Sequence, residues 1–251
     1  MERFLMWSGG KDSSASIAIC YENGIHLDGI IMSEVMFSHE RNISGEDIEH
    51  ITWIKEVAIP IIEQMGYKVT VVKDQEDYLS LFHYKFTRGK HQGQTQGFFM
   101  AGGCVGNSRL KMRPINKFLK EHKDCEQIVG IAVDEPERLE RMNKKGGRRS
   151  VLAEFGITEA QTYDICKRYG LLSPIYNKNS RGGCWFCPNS KISEFADLKQ
   201  EHPELWQELK EMSKTPNLVA QNFKYSLTFA EVEKKVDDFI EKQKMQVRIE
   251  I

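Results

Sequence analysis

Trp7-Ser8-Gly9-Gly10-Lys11-Asp12-Ser13-Ser14 decides the fold, because it joins a short apolar run, Arg3-Phe4-Leu5-Met6-Trp7, to a segment of helical composition from Ser13 to Tyr21. Strand, glycine turn, helix is the arrangement in which a helix N-terminus presents unpaired N–H groups and a positive dipole to an anion. Glycines let the backbone approach a phosphate closely, and Ser8, Lys11, Ser13 and Ser14 add donors. The string is not a Walker loop, which needs glycine where Leu5 stands and Ser or Thr where Asp12 follows the lysine.

Outward from that turn, apolar runs alternate with helical spacing. Ile30-Ile31-Met32 reads as a second strand ending at Ser33-Glu34, and Asp47 to Met65 as a helix that Pro60 kinks. Lys68 to Lys73 reads as a third strand, Glu76 to Tyr84 as a helix and Ile128 to Val133 as a fourth strand. Strands spaced by helices predict an α/β fold, a parallel twisted sheet with helices on both faces, whose ligands bind beyond the carboxyl ends of the strands. Residues 85 to 106 hold six glycines and little periodicity, the pattern of a functional loop. Thr158 and Gln161 form a capping-box pattern before a helix from Glu159 to Tyr169. Beyond Ser190 the spacing predicts helices over Ile192 to Gln200, Pro203 to Met212 and Phe229 to Lys242, and Val247 to Ile251 alternates like an edge strand. The expected division is a nucleotide-binding α/β domain over residues 1–189 and a helical C-terminal appendage over 190–251.

The 251-residue chain is 40% hydrophobic and 28% charged, which excludes disordered and fibrous classes. No apolar run approaches the roughly 18 to 20 residues of a membrane span, so a soluble cytoplasmic protein without a membrane partner is expected. The net charge of −1 hides an asymmetry: residues 84 to 149 carry fifteen Lys and Arg against seven Asp and Glu, a local +8. A basic segment in an otherwise acidic chain points to an anionic ligand. Six cysteines are too sparse for a disulfide scaffold and point to metal binding or chemistry where they cluster. Arg181-Gly182-Gly183-Cys184-Trp185-Phe186-Cys187-Pro188 places two thiols at C-x₂-C spacing, able to chelate one metal or cluster. Cys20 and Cys166 read as small core residues.

Ser8-Gly9-Gly10-Lys11-Asp12-Ser13 resembles the signature of the PP-loop ATP pyrophosphatases and the related phosphoadenylyl-sulfate (PAPS) reductases. Gly130-Ile131-Ala132-Val133-Asp134-Glu135-Pro136-Glu137-Arg138 and Arg109-x-Lys111-x-x-Pro114-Ile115 look like the reductase-type branch and extend the likeness over roughly residues 1 to 210. The resemblance implies an adenine nucleotide-binding fold with Ser8, Gly9, Gly10, Lys11, Asp12, Ser13 and Ser14 gripping the pyrophosphate of ATP or the anionic group of an adenylyl sulfate. It places Glu34 near the nucleotide or its Mg²⁺ and assigns Gly130, Asp134 and Arg138 to the nucleotide site. Lys11, Asp12, Arg109 and Lys111 become the catalytic set, acting by positioning and charge neutralisation. It also makes Cys104 a third metal ligand beside Cys184 and Cys187.

Three thiolates with an open position suit a [4Fe–4S] cluster; Zn²⁺ completed by His91 or Cys125, and a metal-free redox pair, are the competing readings. Adenylyl-sulfate reductases use a cysteine in a C-terminal tail, and this chain has none after Cys187. The function that follows is an ATP pyrophosphatase-type activator that adenylates a nucleic acid or nucleotide and supports its thiolation, with sulfide or a sulfur-donor protein as partner. A sulfonucleotide reductase and a non-enzymatic nucleotide-binding module with structural zinc are the alternatives.

Overall fold

A computed structural model describes residues 1–99, 104–178 and 182–249. The chain divides into two compact units that interleave in sequence: Met1–Glu34, Glu46–Asp74 and Lys111–Gly182 form the first, and Val35–Gly45, Gln75–Leu110 and Gly183–Ile251 the second. None of these boundaries falls at 189/190. The cysteine pair falls in the second unit, apart from the loop at Ser8.

The first unit is built on a five-stranded parallel sheet flanked by helices, in the order Val69–Val72, Gly29–Ser33, Arg3–Trp7, Glu126–Val129, Arg148–Arg149. Arg3–Trp7 is central, with Leu5 opposite Ile30 on one side and Ile128 on the other. From it the chain builds outward first through Gly29–Ser33 and later through Glu126–Val129. The reversal leaves a crevice beyond the strand ends between Trp7 and Val129, the position such sheets use for ligands. Leu5, Ile17, Ile30, Ile54, Ile62, Ile128, Val151 and Leu171 close the core under the sheet, each burial contributing about 2 kcal/mol. Cys20 and Cys166 lie in that core as expected, and burial pushes both thiols up to about 12.

Two local signals carry through. The Thr158 hydroxyl accepts from Gln161 N and the Gln161 side chain accepts from Thr158 N, opening the helix Glu159–Tyr169. The segment from Asp47 forms a helix in three pieces, Ile48–Trp53, a π-helical turn Ile54–Ala58, and Ile59–Gln64. Pro60 has no N–H to return to the preceding turn, and the widened turn just before it takes up the register.

The second unit carries the helices Ile192–Glu201, Pro203–Ser213 and Phe229–Ile249. Of the residues expected as an edge strand, Val247 to Ile249 continue the last helix instead, because the apolar face that begins at Phe229, Val232 and Val236 already holds the chain in helical register; Glu250 and Ile251 lie outside the described residues. The helix expected over Glu76 to Tyr84 is shortened to Tyr78–Phe82, started by a capping box at Asp77 and Ser80. Inside the expected loop of residues 85 to 106, Thr95–Gly97 forms a strand paired in parallel with Leu218–Ala220. The partner is more than 100 residues away, so no local pattern announces it. Gly102 and Gly103 of that loop, and Arg181 of the cysteine motif, lie outside the described residues.

Candidate functional site

The loop after Trp7 sits at the crevice of the sheet and is held by contacts only glycine allows. Gly9 adopts φ +72°, and a Cβ there would lie 2.5 Å from Ile54 Cδ1 and 2.7 Å from the His50 ring. Gly130, the first residue past its strand, presses on the start of the helix Lys11–Glu22: a Cβ would lie 2.5 Å from Ser13 N and 2.7 Å from Asp12 C. The two glycines bring strand end, loop and helix N-terminus into one surface.

That surface lines a cavity of about 690 Å³, within the range of small-molecule sites. Its lining includes Met6, Ser8 and Ser13 and, from the neighbouring strand end, Val129, Gly130 and Ile131. Arg138, Arg141, Met142, Lys144, Lys145 and Arg148 complete it, so five cations of the basic segment line the same cavity as Ser8 and Ser13. Arg138 is paired with Glu135, and Lys144 with Glu140 at 2.7 Å. Ser8 Oγ and Ser13 Oγ are 3.4 Å apart, and Ser13 Oγ donates to Gly10 O at 2.9 Å.

Several residues expected in the nucleotide site are placed elsewhere. Lys11 is buried, with Nζ 2.7 Å from Asp12 Oδ1 and 2.9 Å from Glu159 Oε1, and it does not line the cavity. Burial works against its charge, but these two carboxylates outweigh it and raise its pKa. Ser14 is fully buried and accepts from Trp7 Nε1 at 2.9 Å, so it orients the indole. Glu34 is 1% exposed and pairs with Lys55 at 2.8 Å and Lys73 at 3.0 Å. Burial opposes its ionisation; the two lysines more than offset this and hold its pKa below the usual carboxylate value. Asp134 accepts from Glu159 N at 2.9 Å and serves the start of that helix. Arg109 and Lys111 ride one π-helical turn, Asn107–Met112, where the chain passes between units. Arg109 pairs with Glu76 at 2.6 Å in the second unit.

Cys104, Cys184 and Cys187 all fall in the second unit, which also carries an aromatic layer. Trp185 N donates to Gly45 O at 3.1 Å and Trp185 Nε1 to Ser44 O at 2.9 Å, fixing the C-x₂-C turn, while Cys187 N returns to Cys184 O at 3.0 Å. Lys224 Nζ reaches Pro188 O at 2.9 Å and Ser190 O at 2.6 Å, tying down the far side of the turn. Phe37, Tyr78, Phe99 and Phe186 pack behind it, with Tyr78 and Phe186 centroids 4.0 Å apart. Tyr78 is buried; that burial first, and then the charges of Cys184, Cys104 and Cys187, push its phenol above its ordinary pKa. None of the six cysteines forms a disulfide. Among the described residues no three Cys, His, Asp or Glu side chains already stand as a metal-ligand group. The donor types and the aromatic wall fit a thiolate-held cluster; the ligand geometry is not preformed.

Two residues of the loop's surroundings had no signal in the sequence. His50 sits beneath Gly9, and Tyr176 Oη accepts from Lys11 N at 2.9 Å. Both come from segments distant in the chain, and neither belongs to a motif.

No protein-family model matches the chain. Among curated proteins it is similar to two from Methanocaldococcus jannaschii: the uncharacterized protein MJ0973, 30% identical over 108 residues and 40% of this chain, and the uncharacterized protein MJ0066, 23% identical over 122 residues and 43% of this chain. The matched segment spans about a quarter of each relative's length, 26% and 25%. Among solved structures, the U34-tRNA thiolase NcsA from Methanococcus maripaludis with its [4Fe-4S] cluster aligns at a TM-score of 0.42 and 17% identity, covering 86% of this chain and 72% of that chain. No helix among the described residues is long and apolar enough to cross a membrane.

Proposed function

We propose that the chain is a PP-loop ATP pyrophosphatase-type enzyme that adenylates a nucleic acid or nucleotide and supports its thiolation. The observation that carries this reading is the cavity itself. Ser8 and Ser13, at the start of a helix and at the switch point of a parallel sheet, line it together with five cations. A triphosphate is the ligand such a charge balance accepts. In the reaction, an oxygen of the acceptor attacks the α-phosphorus of ATP. The bond from that phosphorus to the bridging oxygen breaks, and pyrophosphate leaves with the bonding pair. Sulfide then attacks the activated carbon, the carbon–oxygen bond breaks, and AMP leaves. Ser8, Ser13 and the backbone N–H groups of the loop hold the departing pyrophosphate, with Mg²⁺ as its counter-ion, and the cationic wall neutralises charge developing on it.

In this reading Cys104, Cys184 and Cys187 hold a [4Fe–4S] cluster. The cluster supplies one iron without a protein thiolate, a position suited to a sulfur ligand. The chain's own contribution is the aromatic wall of Tyr78 and Phe186, which lowers the local dielectric and limits water. Lys11 enters the proposal as a charge already neutralised by Asp12 and Glu159, a positioning group for the loop rather than a direct phosphate ligand.

Release of pyrophosphate from ATP in the presence of tRNA or DNA, compared between the protein and Ser13→Ala, tests the nucleotide half. About a tenfold loss of turnover is expected, and unchanged turnover refutes the loop assignment. Anaerobic purification with iron and acid-labile sulfide analysis tests the other half. Iron and sulfide lost in Cys184→Ala support the cluster, whereas stoichiometric zinc refutes it.

A further inference from the structure

His50 is a buried polar side chain whose two ring nitrogens both have partners, and the chemistry of those partners sets its state. Nε2 stands 3.3 Å from the Ser8 carbonyl oxygen, which has no proton to give, so Nε2 carries the hydrogen. Nδ1 stands 2.8 Å from Ser173 Oγ. The Ser173 oxygen accepts from Ile175 N at 3.4 Å, which leaves its own hydrogen for Nδ1. The chain of donors therefore runs in one direction, Ile175 N–H to Ser173 Oγ–H to His50 Nδ1, and His50 Nε2–H to Ser8 O. Every member is satisfied when the ring is neutral.

The ring is also enclosed. A Cβ on Gly9 would come within 2.7 Å of Nε2 and one on Gly182 within 3.2 Å of the same atom. The Trp53 indole stacks nearby, its centroid 6.0 Å away at 14°. Gly9 and Gly182, each the first glycine of a Gly-Gly pair, thus approach this one imidazole. Ser173 opens the short 3₁₀ turn Pro174–Asn177, and that turn carries Tyr176, whose hydroxyl accepts from Lys11 N. One segment therefore holds the loop at both ends, at the Ser8 carbonyl through His50 and at the Lys11 amide through Tyr176.

We propose that His50, kept in its Nε2–H tautomer by Ser173, is a positioning residue that fixes the Ser8 peptide and so the phosphate-binding shape of the loop. It does not line the cavity and touches no reacting atom. The inference rests on the nucleotide reading for its effect on ATP, but its geometric content stands apart from it.

The test compares His50→Gln, His50→Asn and Ser173→Ala with the unaltered protein, each checked by its melting temperature. The amide nitrogen of Gln is three bonds from Cβ, as Nε2 of His is, and reaches Ser8 O; that of Asn is one bond short. We expect His50→Asn to weaken ATP·Mg binding by about tenfold while kcat for pyrophosphate release changes less, and His50→Gln to restore most of the affinity. Where the unaltered protein binds ATP, equal affinity in all variants, or no difference between Gln and Asn, overturns the proposal. Two measurements need no nucleotide. Nitrogen-15 NMR of the imidazole should show the Nε2–H tautomer, altered in Ser173→Ala, and amide exchange over Gly9 to Ser14 should quicken in His50→Asn but not in His50→Gln. A protonated Nδ1, or unchanged exchange, overturns the proposal even if ATP binds. A protein that fails to bind ATP while showing both signatures refutes the nucleotide reading and leaves the positioning of the loop supported.

Discussion

The loop at Ser8 and the cysteine set differ in how far each is finished before any ligand arrives. The loop is contiguous in sequence, and its shape is over-determined by backbone contacts: Gly130 against Ser13, Gly9 against His50 and Ile54, and Tyr176 on the Lys11 amide. The cysteine set draws on two separate segments. Its C-x₂-C turn is fastened by Trp185 and Lys224, while Cys104 lies 80 residues upstream in a separate segment. Preorganised donors cost no reordering when an anion binds, which suits a site that must hold pyrophosphate as it leaves. A thiolate cluster contributes bond energy of its own and can close its ligands as it assembles. One site is made by packing, the other is completed by what it takes up.

Three changes sharpen or break that contrast. The largest is Phe37→Ala. Phe37 is fully buried and packs at 4.6 Å from Trp185 and 5.5 Å from Phe186, so its removal should cost about 4 kcal/mol. Urea unfolding followed by near-ultraviolet circular dichroism checks this, and iron retention should fall while ATP affinity holds. Loss of both together would mean the two sites are not separable. Gly130→Ala comes next. The added methyl meets backbone atoms of Asp12 and Ser13, which cannot rotate away, and about 3 kcal/mol of stability should go with the ATP affinity. Full ATP affinity in this variant would show that the loop is adaptable and the contrast wrong.

The smallest effect is a pH dependence from His50. Burial, the leading cause, lowers its pKa below the ordinary 6.5, against the pull of Ser8 O, Glu46 and Asp47 and with the help of Lys111. The unfolded chain therefore binds a proton more readily, and stability from this group is complete above 6.5 and declines as pH falls below it. Glu34 and its lysines also lose stability with acid, but only below the ordinary carboxylate value of 4.5. Urea midpoints measured from neutral pH to about 5 should show a decline that His50→Gln removes. A decline that persists in that variant assigns it to another group.

The sheet was legible because its signals are local. Arg3–Trp7, Gly29–Ser33 and Val69–Val72 are apolar runs ended by turn residues, and Thr158 announces a helix start within three residues of the backbone it caps. The strand Thr95–Gly97 was not legible, since its pairing depends on Leu218–Ala220 far along the chain. The last helix was misread at its end because five alternating residues suggest a strand only when the helix before them is ignored.

By itself the sequence determined that a glycine turn joins a strand to a helix, that a basic segment accompanies it, and that Cys184 and Cys187 stand at C-x₂-C spacing. Such features are written in neighbouring residues and need no partner. Only the tertiary structure decided that Lys11 and Glu34 are spent on ion pairs, that Ser14 serves Trp7, and that His50 and Tyr176 hold the loop. The physical reason is that a buried polar atom must find its partner wherever the packed sheet and helices place one, here 42 residues from Ser8 to His50 and 165 from Lys11 to Tyr176.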